Sequence, residues 1–116
     1  MTGLEVRLHR TAGELSVCAL VGDLDIESRA PAGSAIDGLI AERPPLVVID
    51  LERVGFCDSS GLNLLLRARM NAIAAGVDFR LAHPSPAVAR VLEITGTDSI
   101  FSIDADGESL RTASGR

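Results

Sequence analysis

The run Leu46-Val47-Val48-Ile49 constrains this chain more than any other stretch. It is continuously apolar, with no alternation of the kind that shows one face to water. A strand buried on both faces reads this way, and such strands belong to parallel sheets covered by helices. The flanks agree. Pro44-Pro45 stops whatever precedes it, because proline lacks the amide hydrogen that a helix interior needs. Upstream, the stretch from Arg29 to Glu42 carries Ala32, Ile36, Leu39 and Ile40 at helical spacing. Ser28 stands where a helix cap is expected, and Gly33 and Gly38 weaken the helix. A helix leading into a doubly buried strand is half of an α/β unit.

The remaining segments extend that pattern. Leu4, Val6 and Leu8 alternate with Glu5, Arg7 and His9, which predicts a half-buried strand. Leu15 to Val21 predicts a second, joined to the first through a turn at residues 11–14 as an antiparallel hairpin. Gly22-Asp23-Leu24-Asp25 ends it. After Ile49, a short loop leads to Phe56-Cys57-Asp58-Ser59-Ser60-Gly61-Leu62 and a helix from Ser60 to Ala75, closed by Gly76. Phe79 to Ala82 predicts a short strand. Ser85 and Pro86 suit the cap and first residue of a third helix, closed at Gly96. Ile100 to Ile103 predicts an edge strand. The order β-β-α-β-α-β-α-β describes one α/β domain, a mixed β-sheet packed by helices, over residues 1–104. A polar tail with room for one helical turn follows at 105–116.

Composition excludes several roles. The 116 residues fit one domain, and 47% hydrophobic with 23% charged residues is a globular balance. The net charge of −5 argues against nucleic acid as a partner. There is no Trp, Tyr or Lys, so stacking platforms for bases or sugars are missing. No apolar run approaches the length of a membrane span, and the N-terminus has no signal-peptide pattern. Cys18 and Cys57 do not form a disulfide framework, so the expectation is a cytoplasmic protein, away from the membrane, with reduced thiols. His9 and His83 have no ligand spacing, so neither a metal site nor a cofactor is expected. The Gly-x-Ser-x-Gly elbow of serine hydrolases is absent, since Gly55 lies four residues before Ser59, and no catalytic residues are assigned.

The most informative segment is Asp58-Ser59-Ser60-Gly61-Leu62, placed after a buried strand and opening a helix. With Gly22-Asp23-Leu24-Asp25, Leu46 to Leu51 and Pro84 to Gly96 in this order, it resembles the STAS domain, and within it the anti-sigma factor antagonists. The resemblance covers nearly the whole chain. It implies that Ser59 is a phosphorylation site and that Asp23 is its neighbour. It implies a partner-switching role: the unphosphorylated protein binds an anti-sigma factor that is itself a serine kinase, phosphorylation of Ser59 breaks the complex, and a serine phosphatase restores it. The alternative within the same fold is a non-switching scaffold or accessory subunit of a stress-signalling or transporter assembly. The short chain favours the antagonist. Two departures stand out: Thr97 replaces a frequent Leu, and the last helix of the family is reduced to residues 108–113.

The residues themselves support a switch at this place. A serine at a helix start is held in a defined pose, flanked by Asp58, Ser60 and Gly61. Ser60 is a suitable cap, and Gly61 leaves room for an approaching kinase. A phosphate there gains from the helix N-terminus but repels Asp58. On the second helix, Leu62, Leu65, Leu66, Met70 and Ile73 form the expected core stripe. That leaves Ser60, Leu64, Arg67 and Asn71 on the opposite face. Leu64 is therefore expected to be exposed, and Asp25, Leu64, Arg67 and Asn71 are the expected partner-binding residues. Oligomeric state is not fixed by the sequence.

Overall fold

A computed structural model describes residues 3–11, 15–105 and 107. The connection at 12–14 and the expected tail from 108 onward lie outside the described residues.

Strands β1 (Leu4–Thr11) and β2 (Leu15–Leu24) form the expected antiparallel hairpin, with Leu8 opposite Cys18. Helix α1 (Arg29–Ala41) follows and buries the expected Ala32, Ile36, Leu39 and Ile40. It ends at Ala41 with Glu42 as C-cap, and Arg43 then takes a left-handed backbone (φ 53°) before Pro44. Strand β3 (Leu46–Asp50) has its middle three residues fully enclosed. It lies parallel to β2 on one side and to β5 (Asp78–Ala82) on the other. Helix α2 (Ser59–Ala75) and helix α3 (Pro86–Thr95) close at Gly76 and Gly96 as expected. Ser85 accepts the Val88 amide at 3.3 Å, the cap that the sequence predicts. A short 3-10 turn at Thr97–Ser99 leads to the edge strand β6 (Ser102–Asp104), which begins later than the sequence suggests.

One strand escaped the sequence reading. β4 (Val54–Cys57) lies off the main sheet path β1-β2-β3-β5-β6 and pairs in parallel with the far end of β2. Gly22 makes this possible. Its φ of +121° is open to glycine alone, and a Cβ there would run into the Gly3 carbonyl. The register shifts between Gly22 and Asp23, so β2 bends away from β3 and meets β4, with Leu24 opposite Cys57.

Alternate residues of the inner strands fill two layers. Cys18, Leu20, Val47, Ile49, Phe79 and Leu81 pack with the buried faces of the helices. Leu15, Val17, Val48 and Ala82 form a smaller cluster on the other face.

Candidate functional site at the start of helix α2

The pairing of β2 with β4 creates the site. Because Leu24 faces Cys57, and the Asp58 amide donates to the Leu24 carbonyl at 3.4 Å, the chain leaving β2 runs beside the chain leaving β4. Asp23 and Asp25 therefore come to the same corner as Asp58 and Ser59, although more than 30 residues separate them in sequence.

Asp58, not Ser60, caps α2. Its backbone is extended, and its Oδ1 accepts the amides of Ser60 at 2.9 Å and Gly61 at 3.2 Å. The cap sits two residues earlier than expected, and the Asp58 carboxylate serves two amides at once. Ser60 is then a helical residue, half-buried. Ser59 is the first residue of the helix and is exposed, with its hydroxyl in no hydrogen bond to a described residue.

Gly61 has a different role from the one expected. It is buried rather than open to an approaching protein. A Cβ at this position would lie 2.6 Å from the Leu24 carbonyl oxygen and 3.0 Å from the Cys57 sulphur. The glycine thus lets α2 start against the ends of β2 and β4, which fixes the position of Ser59.

Ser28 is also not the side-chain cap it was expected to be. Its buried hydroxyl donates to the Asp23 carbonyl at 2.7 Å and accepts the Asp25 amide at 2.9 Å. The Asp25 carboxylate accepts the amides of Glu27 and Ser28, both at 3.1 Å. The 23–28 loop is thus held from within by its own hydrogen bonds. Two exposed apolar side chains on these segments, Ile26 and Phe56, were not singled out in the sequence. Phe56 pairs with Asp23 across the strands.

The expectation for Leu64 is overturned. Leu64 is only 5% exposed and packs against α1, where a Cβ on Gly33 would lie 3.2 Å from its Cδ1. The buried face of α2 comprises Gly61, Leu62, Leu64, Leu65, Ala68 and Ala72, while Met70 and Ile73 are exposed. The expected stripe is thus buried at Leu62 and Leu65, and the buried line then continues through Ala68 and Ala72 instead of Met70 and Ile73. Leu64 therefore has little side-chain surface open to solvent. Arg67 and Asn71 are exposed, and Asn71 donates to Asp37 of α1 at 3.2 Å. With Arg29 and Ser34 they border a groove of about 300 Å³ between α1 and α2, floored in part by Leu64.

Both thiols are buried and held in the protonated form at neutral pH. Burial pushes Cys18 up to about 12. Burial, aided by the Asp58 charge, pushes Cys57 up to about 11. No helix among the described residues is long and apolar enough to cross a membrane.

This combination of a mixed sheet, helices on one face and a serine at the start of α2 has close counterparts. The family model described as "Mlab, STAS domain" matches residues 8–103. The anti-sigma-F factor antagonist RsfB of Mycobacterium tuberculosis is 30% identical over 87 residues, 75% of this chain and 70% of that protein. The crystal structure of an anti-sigma factor antagonist from Mycobacterium paratuberculosis superposes with a TM-score of 0.82 at 29% identity, covering 96% of this chain and 93% of that one. The anti-sigma factor antagonist SpoIIAA in its unphosphorylated form gives a TM-score of 0.75 at 25% identity, covering 97% and 98%. The chain belongs to the STAS-domain family, in its anti-sigma factor antagonist branch. Proteins of that class act as regulators.

Proposed function

We propose that this protein is a partner-switching anti-sigma factor antagonist controlled at Ser59. In its unphosphorylated form it binds an anti-sigma factor that has serine kinase activity. The contact surface is the corner of Asp23, Asp25, Asp58 and Ser59, bordered by Ile26 and Phe56. Such a surface suits a partner face with an apolar centre that packs on Ile26 and Phe56. Phosphorylation of Ser59 releases the partner, and a serine phosphatase resets the protein.

The observation that carries this reading is the way Asp58 holds the helix start. The amides of Ser60 and Gly61 already serve the Asp58 carboxylate. A phosphate on Ser59 does not find those donors free, so it stands outward at the corner and adds about −1.5 to −2 charges beside Asp58. Free in water, the protein tolerates this. In a docked complex the same charge faces a desolvated acidic surface, so the fold survives while the complex does not.

Titration of the anti-sigma partner with this protein, before and after incubation of the pair with ATP and Mg²⁺, tests the proposal. Tight binding that disappears once ATP is added, and persists in Ser59→Ala, supports it. Binding that ignores ATP in both proteins refutes the switch. The family model's own description, which names Mlab rather than an antagonist, favours a second reading as a non-switching accessory subunit. That reading expects no phosphoryl transfer to Ser59.

A further inference from the structure

Among the described residues, one buried side-chain polar atom has no hydrogen-bond partner: Nδ1 of His83. It points toward two carboxylates, with Asp50 Oδ1 at 3.5 Å and Glu52 Oε1 at 3.9 Å. Both contacts are too long for a direct hydrogen bond. The three ligand-capable atoms lie within 4.8 Å of one another. We propose that Asp50, Glu52 and His83 form a binding site for a divalent transition-metal ion, Zn²⁺ by the character of its donors.

The fold assembles this set without any spacing visible in the sequence. Asp50 ends β3 opposite Ala82 of β5, and Leu51 donates its amide to the Ala82 carbonyl at 2.9 Å. The residue after each strand end is thereby brought alongside the other. His83 then takes a left-handed backbone (φ 48°) and anchors its amide on the Asp104 carbonyl at 3.2 Å. Gly107 backs the opposite edge of the ring, so closely that a Cβ there would collide with His83 Cε1 and Nε2. The imidazole is therefore held from behind, with its free nitrogen turned to the carboxylates.

The separations are within reach of a shared metal ion. A tetrahedral Zn²⁺ has its ligands about 2.0 to 2.1 Å away, which puts neighbouring donors about 3.3 Å apart. The two His83 separations of 3.5 and 3.9 Å lie near that value. The exposed Glu52 side chain turns in to close the set, whose atoms now lie within 4.8 Å of one another. Asp50 Oδ1 also accepts the Glu52 amide at 3.2 Å. Two carboxylates balance the charge of the ion, and three protein ligands leave one position for water. The imidazole selects against Mg²⁺ and Ca²⁺, which prefer oxygen donors in larger number. Bound there, the ion ties the loop that launches β4 to the turn that launches α3.

Calorimetric titration of the metal-free full chain with Zn²⁺, alongside Co²⁺ absorption spectroscopy, tests the site. One saturable site is expected, with the visible bands of four-coordinate Co²⁺ and no response to Mg²⁺. Glu52→Gln should weaken binding by more than about tenfold. Glu52 is 66% exposed, so this variant keeps the fold. His83→Asn, which tolerates the left-handed backbone, should abolish binding. His9→Gln should leave it unchanged. Absence of saturable binding overturns the proposal. So does Zn²⁺ binding that survives both Glu52→Gln and His83→Asn, or that disappears with His9→Gln.

Discussion

Replacing Ser59 with Glu places a fixed negative charge at the first position of α2, next to the Asp58 cap; a charge separation of about 6 Å sets the scale. At that separation two like charges repel by about 0.7 kcal/mol in water and about 2.8 kcal/mol at the effective dielectric of a partly buried site. The difference, about 2 kcal/mol, falls on the complex and not on the free protein. It corresponds to about a thirtyfold rise in Kd for the anti-sigma partner. Asp23 and Asp25, on the same corner, add to it, and a phosphate with its larger charge roughly doubles it. The isolated protein should be no less stable, because an acidic residue in the first turn complements the helix dipole by about 0.3 to 1 kcal/mol. Calorimetry or surface plasmon resonance measures the Kd, and a thermal melt checks the fold. The double variant Ser59→Glu/Asp58→Asn separates charge from shape. Asn caps a helix about as well as Asp but carries no charge. In the Asp58→Asn background, the loss caused by Ser59→Glu should shrink several-fold. Wild-type affinity in Ser59→Glu, or the same loss in both backgrounds, would refute the electrostatic reasoning.

Other expectations follow from the same geometry. Asp58→Ala removes the two cap hydrogen bonds and should cost about 1 kcal/mol, or about 4 °C in thermal midpoint, while Asp58→Asn should cost much less. Gly61→Ala forces a methyl against the Leu24 carbonyl and Cys57, so urea unfolding should show a loss of about 1 to 3 kcal/mol or more. Alkaline pH should destabilise the protein through its thiols. Cys18 and Cys57 are held up to about 12 and about 11 when folded, against an ordinary value of 9.0. The unfolded chain therefore releases these protons first, and the stability they carry is intact below pH 9 and lost as pH rises toward 11 and 12. With no Lys or Tyr in the chain, few other side chains titrate in that window. Thermal melts between pH 9 and pH 11 should show the decline, reduced in Cys18→Ala; a flat profile in the wild type would contradict it.

Much of the fold was legible because local chemistry and tertiary role coincide. The apolar run at Leu46–Ile49, the Ser85-Pro86 start and the Gly76 and Gly96 stops each say the same thing at both levels. β4 was hidden because it has four residues, one of them Gly55, and exists only through the bend of β2 at Gly22. The buried line of α2 was hidden for another reason. Hydrophobic size points to Met70 and Ile73, yet the buried line runs through the smaller Ala68 and Ala72. Leu64 lies on that buried side as well. The phosphoryl-acceptor candidate was legible as a motif. Its cap was not: Asp58 and Ser60 are both good capping residues, and only the backbone geometry chooses between them. The trio Asp50, Glu52 and His83 left no trace in the sequence because its members come from the ends of two strands made neighbours by the sheet.

The central claim is that Ser59 is the switch. Its most direct measurement is phosphoryl transfer from the anti-sigma kinases of the same genome, with Mg²⁺ and ATP, followed by intact mass and peptide mapping. The account predicts a single phosphoryl group on Ser59 of the wild type, none on Ser59→Ala, and loss of kinase binding by the modified protein. Phosphate mapped to another residue, or a phosphorylated protein that still binds its kinase tightly, would contradict it.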